Sequence, residues 1–213
     1  MKTDYSLYLV TDRGLSRGRS NPDIIKMAVE GGATVVQLRE KKASTREFLN
    51  EALKVKIYCQ QHGITFIIND RIDIATAVDA DGVHLGQDDM PIDYARKIIG
   101  YGKIIGISAF NVEEAVKAEE MGADYLGISP IYTTPTKPEL EQGIGLEGLK
   151  KIRQAAKIPL VAIGGMNRSN AYDVIKAGAD GIAVVSGIVS ADDPRQAASD
   201  IKSEIIRAQE GKS

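Results

Sequence analysis

Three polar side chains lie at alternate positions in the stretch VVQLREK, residues 35–41. Alternate residues of an extended strand face the same side, so Gln37, Arg39 and Lys41 share one face, while Val36 and Leu38 share the other. Two cations and an amide that face an interior are costly unless a counter-charge is present. The pattern therefore predicts either a binding site for an anionic ligand or an internal ion pair with a carboxylate of a neighbouring strand.

Carboxylates follow two successive apolar runs further along the chain. Asn69 and Asp70 end the run TFIIND, and Asp88 and Asp89 follow the run GVHLG. If these runs are adjacent parallel strands, the four side chains meet at one edge of the sheet. Two carboxylates that leave the other positions to water and phosphate oxygens suit Mg²⁺, which rarely takes a complete protein cage. The alternative is that one of the two adjacent aspartates favours the start of the following helix.

Hydroxyl groups and a further cation follow the run YLGISPIY. Thr134, Thr136 and Lys137 lie in a stretch that Pro135 and Pro138 restrict, and glycines follow it. We expect a loop that closes over the site and brings the lysine to an anionic ligand. The alternative is an ordinary solvated surface loop.

The elements that must position these residues alternate between strand and helix. Five helical patterns are evident in the stretches 22–32, 44–63, 111–123, 146–157 and 170–179. The apolar runs are eight in number: YLVTD, VVQLREK, TFIIND, GVHLG, KIIGISAF, YLGISPIY, PLVAIGG and GIAVVSGI. Eight such units of roughly 27 residues predict a (β/α)8 TIM barrel and a single domain over residues 1–213. The alternative, a doubly wound open sheet, usually has a glycine fingerprint after its first strand, and TDRGLSRGRS does not fit that spacing.

Three further features belong to this framework. Ser108 ends the fifth run, and the GGM and VSGI stretches follow the seventh and eighth, where barrels commonly bind a phosphate on backbone N–H groups. Cys59 is the only cysteine and is expected to be inert packing, while His62 and His84 are expected to be structural. No Ser/His/Asp or Cys/His arrangement is visible in the spacing.

Composition restricts the partners. The 213 residues carry a net charge of −2, and the basic residues are scattered, which argues against nucleic acid and anionic membranes as partners. No apolar run approaches the ~20 residues that a membrane span needs, and the start has no signal-peptide core. We expect a cytoplasmic protein that acts on small molecules, and a homo-oligomer is left open.

The stretches YLVTDR, QLREK, INDRIDIA, DGVHLGQDDMP, GISAF, GISPIYTTPTK, AIGGM and GADGIAVVSGI occur in this order. Through them the sequence resembles the thiamin phosphate synthase family along essentially its whole length. The resemblance implies a Mg²⁺-dependent transferase, which joins 4-amino-2-methyl-5-hydroxymethylpyrimidine diphosphate to 4-methyl-5-(2-phosphoethyl)thiazole and releases pyrophosphate.

The resemblance also implies roles for individual residues. The pyrimidine diphosphate would be held by Gln37, Arg39, Lys41, Asn69, Ser108 and Lys137, of which Arg39, Lys41, Ser108 and Lys137 form the catalytic set. The thiazole phosphate would be bound by Thr134, Thr136, Gly165, Val185 and Ser186, and Mg²⁺ by Asp70 and Asp89. Arg71 departs from the family, in which an aspartate is common, so a water-mediated contact to the metal is expected to be missing.

The implied reaction needs no general base. The pyrimidine diphosphate ionises to a cation that its amino group stabilises, and the thiazole nitrogen attacks without losing a proton. Positioned charge and a closing loop are then the main requirements.

Proteins of three other kinds remain as alternatives. A thiazole tautomerase-like isomerase of the same superfamily would have a histidine where this chain has Phe110, and would commonly lack the Thr-x-Thr-Lys loop. A sugar-phosphate epimerase or aldolase would need a histidine pair or a Schiff-base lysine, and a phosphate-sensing binding protein would have little use for the carboxylates.

Overall fold

Eight parallel strands form a closed barrel in the computed structural model, which describes residues 3–133 and 143–210. Each strand pairs with its neighbours in sequence, and the last pairs with the first. The strands are β1 (Leu7–Val10), β2 (Val35–Leu38), β3 (Thr65–Asn69), β4 (Gly82–Leu85), β5 (Ile104–Ala109), β6 (Tyr125–Ile128), β7 (Leu160–Ile163) and β8 (Gly181–Val184). The predicted (β/α)8 barrel is confirmed.

Helices follow the strands on the outside of the barrel. They are α1 (Asn21–Glu30), α2 (Thr45–His62), α3 (Ile72–Ala77), α4 (Ile92–Ile99), α5 (Val112–Glu120), α6 (Gly145–Ala155), α7 (Arg168–Lys176), α8 (Ser186–Val189) and α9 (Pro194–Glu210), and a short 3₁₀ helix spans Arg13–Leu15. The five helical patterns correspond to α1, α2, α5, α6 and α7. Within the described ranges, no helix is both long and apolar enough to cross a membrane.

All eight predicted strands are shorter than their apolar runs. The run YLGISPIY leaves the strand after Ile128, and the run GIAVVSGI leaves it after Val184. Apolar composition alone does not mark the first of these ends, because Ser129 and Ile131, which follow it, are also buried. Ser186 follows the eighth strand, as expected for the VSGI stretch, and it begins α8.

Helix α2 shows how local sequence sets the ends of an element. Ser44 and Glu47 form a reciprocal capping box at its start. Gly63 ends it with a φ of 66°, a left-handed conformation that glycine adopts without strain. The buried side of the helix includes Cys59, and burial raises the pKa of its thiol to about 12. The thiolate is therefore disfavoured, and the expectation that Cys59 packs in the core is confirmed.

The core has two layers, which follow from the alternation of side chains along each strand. Leu7 and Leu9 of β1, like Val36 and Leu38 of β2, pack outward against the helices. The inward residues form a separate cluster inside the barrel, made of Tyr5, Tyr8, Val10, Val35, Ile67, Tyr125, Val161 and Ala183. Alternation therefore turns Gln37 into the barrel, as its spacing from Val36 and Leu38 predicts.

Candidate active site

A cavity of about 360 Å³ opens at the carboxyl ends of the strands. All eight strands, or the segments that directly follow them, contribute to its wall. In a TIM barrel this end carries the catalytic residues, because the loops that follow the strands converge there. The lining includes ten of the residues expected to form the site: Gln37, Arg39, Lys41, Asn69, Asp70, Asp89, Ser108, Gly165, Val185 and Ser186. Thr134, Thr136 and Lys137 lie outside the described residues, so their roles stay predictions.

Among the described residues, the two cations of the cavity wall are both paired with carboxylates. The Arg39 guanidinium lies 2.7 Å from Oδ2 of Asp12, and the Lys41 ammonium bonds the carboxylate of Asp70. The backbone N–H of Arg39 also donates to Oγ1 of Thr11 at 3.0 Å. The internal ion pair and the anion site, offered as alternatives by the sequence, are therefore compatible. A guanidinium has five N–H donors, and Asp12 occupies part of that capacity.

The carboxylates of Asp70 and Asp89 lie side by side in the cavity wall. Asp70 has a φ of 62°, a left-handed conformation that aspartate tolerates better than most residues, and its N–H donates to the carbonyl of His84 at 2.9 Å. Oδ2 of Asp89 accepts from the Gly86 N–H at 2.7 Å. Burial raises the pKa of Asp89, the Gly86 hydrogen bond opposes this rise, and Asp70 adds to it. Two acidic groups are thus held together, as the edge of a parallel sheet predicts.

The alternative role of these aspartates, at the start of a helix, does not apply to Asp89. Helix α4 begins after Pro91, and no side chain caps its start. The Asp89 carboxylate bonds the Gly86 N–H within its own loop instead. Asp88 is exposed at the rim of the same cavity.

Arg71 turns away from the carboxylate pair. Its guanidinium bonds both carboxylate oxygens of Asp73, at 2.8 and 2.5 Å, and Oγ1 of Thr45 at 3.0 Å. Arg71 is absent from the described lining of the cavity. The substitution at this position therefore adds no cation next to Asp70 and Asp89.

A continuous run of hydrogen bonds crosses the floor of the cavity, and we call it the polar chain. Nε2 of Gln37 donates to the Tyr8 hydroxyl at 2.8 Å, and the Tyr8 and Tyr125 hydroxyls lie 2.8 Å apart. The Tyr125 hydroxyl lies 2.9 Å from Nδ1 of His84, whose Nε2 lies 3.0 Å from Oγ of Ser108. Five side chains from five strands are thus connected.

The polar chain adds to two expectations. His84 was expected to be structural, and its ring, held between Tyr125 and Ser108, also lines the cavity. No Ser/His/Asp arrangement was visible in the spacing, and the structure brings Ser108 and His84 into hydrogen-bond contact. Sequence spacing could not reveal it, because the pair forms between adjacent strands. The other nitrogen of His84 faces a phenol, whereas a catalytic triad places a carboxylate there to stabilise the imidazolium.

Two glycines make room for the rings of the polar chain. A Cβ atom on Gly106 of β5 would lie 2.1 Å from Cζ of Tyr125. A Cβ atom on Gly127 of β6 would lie 2.8 Å from Cε1 of His84. The glycines in GISAF and YLGIS are therefore needed because the rings of the cavity floor fill the space that a Cβ would occupy. They were the sequence signal that could have indicated large inward rings nearby.

Backbone segments after β7 and β8 close the other side of the cavity. Gly164 and Gly165 have φ values of 101° and 69°. The carbonyl of Gly165 accepts from the Asn170 side chain at 2.9 Å, which fixes this turn against the start of α7. Val185 directly precedes the short helix α8 and lines the cavity with Ser186. The two segments lie where barrels bind phosphate groups.

Comparisons with known proteins agree with this geometry. A family model described as thiamine monophosphate synthase matches residues 7–188. Thiamine-phosphate synthase of Chloroflexus aurantiacus is 56% identical over 207 residues, covering 97% of this chain and 95% of that protein. The Clostridium novyi protein of the same name is 52% identical over 193 residues, or 91% of this chain and 95% of its own.

Solved structures extend the comparison. Thiamine phosphate pyrophosphorylase from Pyrococcus furiosus superposes with a TM-score of 0.90 at 42% identity, over 97% of this chain and 98% of that one. A 3-hexulose-6-phosphate synthase, at 18% identity and a TM-score of 0.66, shares the fold alone. Fold, family model and high identity over nearly the whole length lead to one conclusion: the chain belongs to the thiamine monophosphate synthase family.

Proposed function

We propose that the cavity joins a pyrimidine diphosphate to a thiazole phosphate and releases pyrophosphate, so that thiamin phosphate is the product. The observation that carries this proposal is the convergence of Arg39, Lys41, Asp70 and Asp89 on one cavity wall. Cations next to a carboxylate pair suit a ligand that arrives as a diphosphate with a divalent metal ion.

Charge balance supports a metal ion in this site. Within the part of the chain that the structure describes, the lining has two cations, Arg39 and Lys41, and three carboxylates, Asp70, Asp88 and Asp89. The wall thus has one more negative than positive charge, which by itself repels a diphosphate. A divalent cation reverses this balance.

The donor set fits Mg²⁺. Across residues 3–133 and 143–210, no group of three or more His, Cys, Asp or Glu side chains is arranged to hold a metal ion. A pair of carboxylates is what a small hard cation uses when water and phosphate oxygens complete its octahedron. In this proposal Asp70 and Asp89 would hold the ion, which would supply positive charge next to the diphosphate.

The remaining residues divide between the two substrates. Arg39 and Lys41 bind the diphosphate, since the guanidinium retains N–H groups beyond those used by Asp12. Gln37, Asn69 and Ser108, all buried at the cavity floor, hold the pyrimidine ring. Gly165, Val185 and Ser186 present backbone N–H groups to the thiazole phosphate. Thr134, Thr136 and Lys137 complete both sites on the family resemblance alone.

The chemistry asks mainly for positioned charge. The C–O bond to the diphosphate breaks first, the positive charge that develops is delocalised onto the amino-substituted ring, and the thiazole nitrogen then forms the new C–N bond. No proton leaves the nitrogen, so the site needs no base. What it must do is stabilise the leaving group, align two rings and exclude water from the cation.

A direct assay tests this function. The purified chain is mixed with both substrates and Mg²⁺, and thiamin phosphate and pyrophosphate are measured together. The two products should appear in equal amounts. Pyrophosphate alone would indicate hydrolysis, and conversion of the thiazole phosphate in the absence of the pyrimidine would support the isomerase; either result would reject the proposal.

The first prediction concerns the metal. Asp89→Asn should raise the Mg²⁺ concentration needed for half-maximal activity by roughly tenfold or more, because one anionic ligand is lost while the phosphate oxygens remain. Asp88→Asn is the matched control, since it removes the same charge from the next residue at the exposed rim. Mg²⁺ titrations of both variants provide the measurement. Equal Mg²⁺ requirements would remove Asp89 from the metal site.

The second prediction concerns the segment after β7. Gly165→Ala forces a side chain into a left-handed conformation, with φ at 69°, and places a Cβ 3.0 Å from Cβ of Tyr132. It should weaken thiazole phosphate binding about tenfold while the affinity for the pyrimidine diphosphate changes little. Gly63→Ala is the control, because φ there is 66° and, in the part of the protein that the structure describes, no atom lies within 4 Å of the added Cβ. Calorimetry measures the affinity of each variant for each substrate. An equal loss of affinity for both substrates would contradict the assignment of Gly165 to the thiazole phosphate.

A further inference from the structure

The tyrosines and the histidine of the polar chain have no role in the function proposed above. Tyr8 and Tyr125 are each 1% exposed, and Gln37 is 5% exposed, so the polar chain runs through the interior of the barrel. Burial raises the pKa of both phenols well above the usual value for tyrosine. Each phenol therefore keeps its single proton, and each has one hydrogen bond to donate.

Proton counting gives the chain a direction. Nε2 of Gln37 is a donor, so the Tyr8 oxygen accepts from it and must place its own proton on Tyr125. If Tyr125 donated to Tyr8 instead, the buried Tyr8 proton would be left without an acceptor in the chain, which is costly. Tyr125 in turn donates to Nδ1 of His84.

The same count continues to the far end of the chain. With Nδ1 acting as acceptor, a neutral His84 carries its proton on Nε2 and donates it to Oγ of Ser108. The Ser108 hydroxyl proton is then available to a ligand in the cavity. At the other end, the Gln37 amide uses an N–H within the chain, so its carbonyl oxygen is available as an acceptor.

We propose that Tyr8, Tyr125 and His84 are positioning residues, which give the hydrogen bonds across the cavity floor one direction. Gln37 thereby presents an acceptor to the ligand and Ser108 presents a donor. This inference rests on the proposed function, because the ligand that fits is a ring with an exocyclic amino group and an unprotonated ring nitrogen. A 4-oxo pyrimidine, which offers an acceptor in place of the amino donor, is disfavoured.

The direction also determines what the Ser/His contact can do. His84 donates from Nε2 to Ser108, so it is not placed to take a proton from that hydroxyl. The reverse direction, with Nδ1 protonated and Nε2 accepting, is the one that would activate a serine nucleophile. The tautomer of His84 therefore separates positioning from nucleophilic catalysis.

The tautomer of His84 can be measured because the protein contains only two histidines. Nδ1 of His62 lies 2.8 Å from the carbonyl of Tyr58, which can only accept, so a neutral His62 is protonated on Nδ1. Two-bond ¹H–¹⁵N spectra of the ¹⁵N-histidine-labelled protein, which distinguish the two neutral tautomers from the charged ring, should show opposite patterns for the two neutral rings. Protonation of His84 on Nδ1 would overturn the proposed direction.

A second experiment tests the effect on the ligand. The dissociation constants of the 4-amino pyrimidine diphosphate and of its 4-oxo analogue are measured in the presence of Mg²⁺ and without the thiazole, so that no turnover occurs. The unmodified protein should prefer the amino compound by roughly tenfold or more, the usual scale for one mismatched buried hydrogen bond. Tyr125→Phe, which removes one hydroxyl in the middle of the polar chain, should reduce that preference at least about fivefold.

Tyr5→Phe is the matched control. Its ring stacks on Tyr125 with centroids 4.8 Å apart, but its hydroxyl is outside the polar chain, so the preference should not change. Tyr8→Phe breaks the neighbouring link and serves as the second variant if Tyr125→Phe does not fold. An unchanged preference in a folded variant overturns the inference, as does loss of the preference in Tyr5→Phe.

The outcome is separable from that of the proposed function. If the unmodified protein makes thiamin phosphate and the preference survives in Tyr125→Phe and Tyr8→Phe, only the positioning role fails. If the protein binds both pyrimidines with the expected preference but forms no product, only the proposed reaction fails. If it binds neither compound, both are rejected.

Discussion

Gly106→Ala, which adds one methyl group next to the ring of Tyr125, should strongly destabilise the barrel. The new Cβ would lie 2.1 Å from Cζ and 2.5 Å from the hydroxyl of Tyr125. That ring cannot swing aside, because it is fully buried and its hydroxyl bonds both Tyr8 and His84. Overpacking and the loss of two buried hydrogen bonds should together cost about 3 to 5 kcal/mol in the free energy of unfolding.

Thermal unfolding and activity measure this effect. A loss of that size corresponds to a fall of roughly 6 to 20 °C in Tm for a chain of this length. Activity at a temperature where the variant is still folded should also fall, since Gln37 and Ser108 depend on the displaced ring. Gly102→Ala is the control, because no atom of the described residues lies within 4 Å of its added Cβ, and its effect on stability should be close to zero. A Gly106→Ala variant as stable as Gly102→Ala would mean that the floor is looser than the structure shows.

Arg39→Lys should lower kcat/KM clearly although the charge is retained. A lysine ammonium is a point charge, whereas a planar guanidinium has several N–H donors in fixed directions. Unlike the guanidinium, the ammonium cannot bond Asp12 and two phosphate oxygens simultaneously. The expected loss is about 2 to 4 kcal/mol of transition-state stabilisation, or roughly 30- to 1,000-fold in rate. Arg39→Ala should be at least as slow and should also lose some stability, because Asp12 is left without its partner.

An exposed ion pair elsewhere supplies the control for Arg39. Arg195 lies 3.8 Å from Glu30 between α9 and α1, and Arg195→Lys should change neither rate nor Tm measurably. Single-turnover rates and pyrimidine diphosphate binding are measured for both lysine variants. If Arg39 is only structural, the Arg39→Lys variant will have a normal rate, and the only effect of Arg39→Ala will be a lower Tm.

Several features of the molecule could be predicted because they depend on neighbours in sequence. Alternation of side chains placed Gln37 inside the barrel and Val36 and Leu38 against the helices. The order of strand and helix patterns was enough for the barrel. Residues at strand ends, such as Asp70 and Asp89, were expected to meet because parallel strands end at the same edge. Their roles in binding stay predictions.

Other features required the closed sheet. Tyr8 and Tyr125 are 117 positions apart, and their hydroxyls meet only because β1 and β6 face each other across the barrel interior. The Ser108–His84 contact likewise depends on the register between β4 and β5, in which His84 pairs with Gly106. Local sequence carries no information about such register.

Amino-acid sequence alone thus determined the barrel, the inward face of each strand and the edge at which the polar residues gather, since these follow from periodicity and connection order. Only the tertiary structure decided which carboxylate pairs with Arg39, that Arg71 faces Asp73, and that five floor residues form one continuous run of hydrogen bonds. Hydrogen bonds are short and directional, so they depend on distances across the barrel that closure and packing set to within a few tenths of an ångström.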